Sequence, residues 1–273
     1  MKDLQIRTLW GILFVAILTG AILFGPYTFA LLFVLLSFFI LREFYGLTVQ
    51  AGYSPQIYPG LLTGVMLFIL SFFLARHTIS IKSLIVLLPI IFSFPVYELF
   101  RKKKSPIANI AITGFGILYI SVPFSILNFF VFSGFPGNIS YNFSLLISIF
   151  IFIWVNDSGA YLFGVKYGRH RLFERISPKK SWEGFLGGLI TSVIAASIIS
   201  VVFSQYSFSI MVLIAIVTVI TGTLGDMVES MIKRSVGVKD SGRFIPGDGG
   251  LLDRFDSLLL ASPVIFFILQ FLP

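Results

Sequence analysis

Residues 244–257, FIPGDGGLLDRFDS, place Asp248, Asp253, Arg254 and Asp256 within nine residues, just ahead of an apolar run. If that run is helical, Asp253 and Asp256 stand at i and i+3 and project to one side near the helix start. A single acid there is explained by the helix dipole, and Asp248 by itself is explained as a cap. Capping needs one carboxylate, however, and this stretch supplies three beside an arginine. Upstream, Asp157 follows the apolar IFIFIWVN, and Asp226, Glu229 and Lys233 share a helix face by i, i+3 and i+7 spacing. For Glu229 an ion pair with Lys233 explains as much as a functional role. Convergent carboxylates in a chain with no Cys and two His suit a hard divalent cation such as Mg²⁺, which takes oxygen ligands and shares them with substrate phosphates. Lys179, Lys180, Lys233, Arg234, Lys239 and Arg243 lie among these acids, and they suit the charge of a polyphosphate. Between them, KDSGRFIPGDGG is Gly-rich backbone whose amides can approach an anion closely. Acid for metal and base for phosphate point to phosphoryl or nucleotidyl transfer.

The elements that must position these groups are membrane helices. Of the 273 residues 57% are hydrophobic, 12% are charged and 32 are Phe, and the mean hydropathy is +0.97. That apolar share is well above that of a soluble domain. The absence of Cys excludes disulfides, thiolate metal sites and cysteine nucleophiles. Uncharged stretches at 8–41, 44–75, 83–97, 105–156, 184–225 and 257–273 exceed one span of about 20 residues in several cases and must turn. Gly25-Pro26, the SGFPGN at 133–138 and the SQYS at 204–207 supply the turns. Nine spans are expected, near 9–24, 27–41, 60–75, 83–98, 106–131, 142–163, 184–203, 208–226 and 257–272, although 9–41 also reads as one tilted helix or a hairpin. A signal peptide at 1–24 is disfavoured, since no A-x-A-like site follows and another span comes at once.

Loop charge supports this count. Nine spans put 18 of the 20 Lys and Arg on one face, with Arg76 and Lys82 opposite, and the twelve acids fall at or near the same basic face. By the positive-inside rule that face is cytoplasmic. The same rule explains much of the net charge of +8, and the RKKK at 101–104 needs no further reading than orientation and contact with anionic headgroups. The expected fold is therefore all-α and polytopic. Residues 1–140 form N-terminal helices and 141–273 the catalytic region of one integrated membrane domain.

The run SMIKRSVGVKDSGRFIPGDGGLLDRFD, residues 230–256, resembles the signature of the phosphatidate cytidylyltransferase family, also called CDP-diacylglycerol synthases. It matches at Ser230, Lys233, Arg234, Lys239, Asp240, Pro246, Gly249, Gly250, Asp253, Arg254 and Asp256. NDSGAYLFG at 156–164 and SPKKSWEG at 177–184 are also similar, with Ser181 where the family more often has threonine. One departure stands out: Asp248 occupies the place of a family histidine. Aspartate can bind metal or accept a proton but cannot donate as imidazolium would.

The resemblance implies that CTP and phosphatidic acid, a membrane lipid, give CDP-diacylglycerol and pyrophosphate in the cell membrane, with the site at the cytoplasmic face. Nucleic acid has no part in this reaction, and a homodimer is compatible with it. Mg²⁺ is the implied cofactor, with a second metal ion left open. Metal binding falls to Asp226, Asp253 and Asp256, with Asp248 and Asp157 as further candidates. Lys233, Arg234, Lys239 and Arg243 are expected on the triphosphate or lipid phosphate, and Lys179 and Lys180 at the substrate entrance. Asp240 and Arg254 join the catalytic group, while Asp157, Ser181, Glu183, Gly249 and Gly250 join the substrate-binding group. Rival readings are a CTP-dependent polyprenol or phytol kinase and, less well supported, a carboxylate-lined transporter. A CDP-alcohol phosphotransferase fits poorly, because DGGLLDR lacks that family's later glycine and spaced aspartates.

Overall fold

The computed structural model describes residues 2–135, 137–242 and 249–271. The chain divides into two compact units, one of residues 1–143 with 235–254 and the other of residues 144–234 with 255–273.

The first unit contains α1 (Lys2–Leu23), α2 (Pro26–Gln50), α3 (Ile57–Ala75) and α4 (Leu87–Arg101), the last preceded by a 3₁₀ turn over Ile81–Val86. Then come α5 (Pro106–Gly116), a π-helical turn at Ile117–Ser121, α6 (Val122–Ile126) and α7 (Asn128–Val131). Gly25, at φ 132, breaks the 8–41 stretch, and Pro26 opens α2 at its first turn, where a missing N–H costs nothing. Phe29, Phe33, Leu36, Ile40, Phe44 and Leu47 of α2 are buried; their three- and four-residue spacing is one helix face. Phe29 packs on Phe68 of α3, and Phe33 on Phe124 of α6. In a bilayer such burial stabilises through van der Waals fit rather than through exclusion of water.

Glu98 shows how this unit tolerates a charge at the end of an apolar helix. The residue is buried, and its carboxylate accepts hydrogen bonds of 2.8 Å from Gln56 Nε2, Asn109 Nδ2 and Arg101. Arg101 also donates to the Ser54 carbonyl. A charge with this many partners joins the beginning of α3 to α4 and α5. Strands β1 (Phe132–Phe135) and β2 (Asn138–Tyr141) form an antiparallel hairpin after α7. The Tyr141 hydroxyl donates to the Ile22 carbonyl of α1 at 2.7 Å.

The second unit is built on α8 (Ser144–Tyr167) and α9 (Trp182–Val202), joined through the hairpin β3 (Arg171–Phe173) and β4 (Ser177–Ser181), together with α10 (Phe208–Ser235) and α11 (Leu252–Leu269), whose first turn belongs to the first unit. Gly164 lies against Gly184, Asn156 against Gly188, and the Ser192 hydroxyl donates to the Phe152 carbonyl. Contact positions fall on α8 as they rise on α9, so the two helices are antiparallel. Glycines four apart on α9 let the backbones approach closely. A methyl group at Gly188 would meet the Asn156 side chain and lie 2.9 Å from the Asn156 carbonyl oxygen. Gly188→Ala is therefore expected to cost about 1–3 kcal/mol of stability, the ordinary range for overpacking, as a lower midpoint of thermal unfolding in detergent. An unchanged midpoint would show that the pair adjusts.

Among the described residues, seven helical segments are long and apolar enough to cross a membrane: Pro26–Gln50, Ile57–Ala75, Ile81–Arg101, Pro106–Val131, Ser144–Tyr167, Trp182–Val202 and Phe208–Ser235. The apolar stretch Thr8–Leu23 is shorter, and α11 carries Asp253, Arg254 and Asp256 in its first turns. Each of the nine expected spans thus has a helix, and the fold is all-α and polytopic apart from the two hairpins. Boundaries differ where the expected spans end at charged residues. α2 continues to Gln50 rather than 41, α10 continues to Ser235 rather than 226, and α11 starts at Leu252 rather than 257. Charged residues do not stop a helix. Backbone breakers do, here Gly52 and Gly237 at φ 86 and 76.

Candidate active site

Acid and base meet around one cavity of about 260 Å³ in the second unit. α8 contributes Asn156, Asp157, Ala160, Tyr161 and Gly164, spaced as one helix face. The hairpin adds Leu172, Lys179 and Lys180, α9 adds Gly184 and Phe185, α10 adds Thr223 and Asp226, and α11 adds Ser257.

Local contacts explain how the hairpin and α9 are set. Ser181 is the N-cap of α9, its hydroxyl accepting from the Gly184 amide at 3.1 Å. Glu183, in the first turn of α9, turns back to the residues after α8. Its carboxylate accepts from the Arg169 amide at 3.1 Å and the His170 amide at 3.3 Å, and lies 2.6 Å from His170 Nδ1. Both ends of the hairpin are thereby fixed, and Lys180 projects from β4 to ion-pair with Asp226. The Ser230 hydroxyl donates to the other oxygen of Asp226 at 3.3 Å, one turn along α10. Asp157 lines the same cavity as this pair.

Asp226, Glu229 and Asp256 each present a carboxylate oxygen, and the three lie within 4.8 Å of one another. Three hard oxygen donors this close fit a divalent cation of the Mg²⁺ class, which fills its other positions with water or substrate phosphate. Glu229 also pairs with Lys233 at 2.5 Å, one turn further along α10, and both residues are buried. The local ion pair and the shared acidic cluster therefore coexist at Glu229.

The remaining expected site residues are distributed as follows. Lys179 lines the cavity rim and is exposed, as is Arg234 in the last turn of α10. Lys239, Asp240 and Arg254 belong to the first unit and are exposed. Arg243 and Asp248 lie outside the described residues. Asp253, also of the first unit, accepts on one oxygen from the Ser241 amide at 3.0 Å and the Gly250 amide at 2.8 Å, with the Ser241 hydroxyl oxygen 3.0 Å from the same atom. Gly249 adopts φ 89, a left-handed conformation suited to glycine, and a Cβ there would lie 2.8 Å from the Asp253 carboxylate.

Several site residues went unmarked in the sequence. Asn156, Tyr161, Leu172, Phe185, Thr223 and Ser257 line the cavity without carrying charge. Tyr161 and Thr223 carried one signal, standing four and three residues from Asp157 and Asp226 on a shared helix face; the sequence marked the others by nothing of this kind. Glu43 went unmarked as well, although it is the first acid after the uncharged 8–41 stretch. It accepts from the Ser241 hydroxyl and from the Leu251 amide at 2.9 Å, within the first unit.

Comparison with known proteins gives this site a family. The chain matches the Cytidylyltransferase family over residues 5–272. It is similar to the phosphatidate cytidylyltransferase of Staphylococcus haemolyticus (strain JCSC1435), with 33% identity over 272 residues, 97% of this chain and 99% of the relative. The protein of that name from Staphylococcus aureus (strain COL) is 31% identical over 274 residues, with the same shares covered. The one from Staphylococcus saprophyticus is 32% identical over 272 residues, again with those shares. These matches take in the N-terminal helices as well as the C-terminal signature, and on that ground the chain belongs to the cytidylyltransferase family.

Proposed function

We propose that this protein is a phosphatidate cytidylyltransferase of phospholipid biosynthesis, which converts CTP and phosphatidic acid to CDP-diacylglycerol and pyrophosphate at the cytoplasmic face of the cell membrane. The observation that carries this reading is Lys180 held against Asp226, with Asp157 beside them, in a cavity of a polytopic membrane protein of this family. The Lys and Arg bias of the loops supports the cytoplasmic side.

In this reaction a phosphate oxygen of the lipid attacks the α-phosphorus of CTP. The new P–O bond forms as the bond from the α-phosphorus to the bridging β-phosphate oxygen breaks, and pyrophosphate leaves with the electron pair. The attacking oxygen is already ionised, so no protein nucleophile and no proton abstraction from the acceptor are required. The chain's task is alignment and neutralisation of crowded negative charge. Lys180, anchored by Asp226, presents an ammonium group to phosphate oxygens entering the cavity, and Lys179 adds positive charge at the rim. Arg234, Lys239, Arg243 and Arg254 supply further positive charge for the triphosphate or the lipid phosphate. Asp226 and Asp256, with Glu229, would hold Mg²⁺; when bound, the ion supplies Lewis-acid stabilisation of phosphate oxygens. Asp253 holds the turn before α11 in place through Ser241 and Gly250.

The test supplies purified protein with phosphatidic acid, Mg²⁺ and CTP labelled at the α or the γ phosphate. Label is expected in lipid from the α position only, with one pyrophosphate released per lipid. Transfer from the γ position alone would instead make the protein a CTP-dependent lipid kinase. Transfer from neither would remove the reading.

A further inference from the structure

The first unit contains an acidic contact that the reaction as described leaves unused. Glu43 sits on α2, 208 residues from Leu251 in sequence, yet its carboxylate accepts from the amides of Leu251 at 2.9 Å and Leu252 at 3.4 Å, and from the Ser241 hydroxyl. The first amides of a helix have no partner within it. Glu43 thus does for α11 what a local N-cap does elsewhere, and it places negative charge at the positive end of the helix dipole.

The fit around it is close. A Cβ at Gly242 would stand 2.9 Å from the Glu43 carboxyl carbon, and one at Gly250 would collide with Glu43 and Ser241. The Ser241 hydroxyl lies within hydrogen-bonding reach of both Glu43 and Asp253. Two carboxylates, one from α2 and one from α11 itself, therefore hold residues 241–242 and 249–252 against the start of α11. That helix carries Arg254 and, two residues on, Asp256.

We infer that Glu43 is a positioning residue for the transfer reaction: by holding the first turn of α11 through the Leu251 and Leu252 amides and Ser241, it sets the register from which α11 presents its charged residues. This inference rests on the cytidylyltransferase reading above. Glu43 touches neither substrate nor metal in this scheme. Its effect is therefore expected on the rate of the chemical step rather than on CTP affinity. Misplacement of a catalytic group by about 1 Å can cost on the order of a hundredfold in rate.

The experiment measures kcat and KM for CTP in Glu43→Ala and Glu43→Gln, together with amide hydrogen exchange in peptides covering 249–256. Glu43→Ala is expected to lower kcat about a hundredfold, with KM for CTP within about threefold and faster exchange at Leu251 and Leu252. Glu43→Gln keeps one carbonyl acceptor at the same reach, so an intermediate kcat is expected. It is also the variant to read if Glu43→Ala fails to accumulate. Unchanged kcat per folded molecule in either variant, or exchange identical to wild type, would overturn the inference. So would a lowered unfolding midpoint with kcat intact, the mark of a merely structural contact. Wild-type protein that fails to move α-label into lipid would overturn the functional reading instead, whereas an active wild type beside fully active Glu43 variants would overturn this inference alone.

Discussion

Asp226→Asn is expected to lower CDP-diacylglycerol formation about a thousandfold, the upper range for loss of one preorganised electrostatic contact in an active site. Asp226 meets Lys180 on one oxygen and Ser230 on the other, and it shares the carboxylate cluster with Asp256 and Glu229. Asparagine keeps the shape and can still accept hydrogen bonds, but it removes the negative charge that orients the lysine and would bind a cation. Folding should change little, because the Lys180 and Asp226 side chains each retain 31% of their exposure and a pair so exposed is worth at most about 1 kcal/mol. Asp256→Asn should behave alike. In both variants the Mg²⁺ concentration for half-maximal activity is expected to rise, and direct Mg²⁺ binding by calorimetry should weaken. Turnover within threefold of wild type in both would refute the assignment of this cluster to metal. Removal of the ion with EDTA should stop the wild-type reaction, and Mg²⁺ should restore it.

Lys180→Ala should lower kcat/KM about a hundredfold or more, again within the range for one preorganised charge. The ammonium group is in contact with Asp226, and Asp157 lines the same cavity. Its loss leaves these acids to repel the incoming triphosphate and removes a donor to the phosphate oxygens. Lys180→Arg retains the charge but replaces a compact ammonium by a planar fork, so partial activity is the expected result. The exposed Lys179 is the internal comparison: Lys179→Ala should cost less than Lys180→Ala. Equal losses at both positions would mean that summed basic charge matters, rather than the anchored geometry of Lys180.

Much of this could be read from the chain because the physics involved is local or additive. A bilayer needs long uncharged stretches, so the helices were legible without any tertiary contact, and the charge asymmetry of the loops is the ground for the orientation proposed above. Helix ends were less legible. Arg42 and Glu43 looked like the limit of a span, yet α2 runs on to Gln50, since nothing before Gly52 breaks its backbone. Acids three apart on one helix were legible as neighbours. Neighbours across helices were not, and so the approach of Asp256 on α11 to Asp226 and Glu229 on α10 is decided only in the folded unit.

By itself, the sequence determined the membrane class, the turn positions at Gly25-Pro26 and around 133–138, and the set of acids and bases from which a site must be drawn. It also carried the signature of the family to which the chain belongs. Only the tertiary structure decided which of those charges keep company. Lys180 reaches Asp226 because Ser181 and Glu183 fix the hairpin that bears it, and Asp253 takes Ser241 and Gly250 as partners. Glu43 caps α11 from 208 residues away. A hydrogen bond or ion pair between distant segments depends on where packing places two backbones, and residue types and spacings along one chain do not contain that distance.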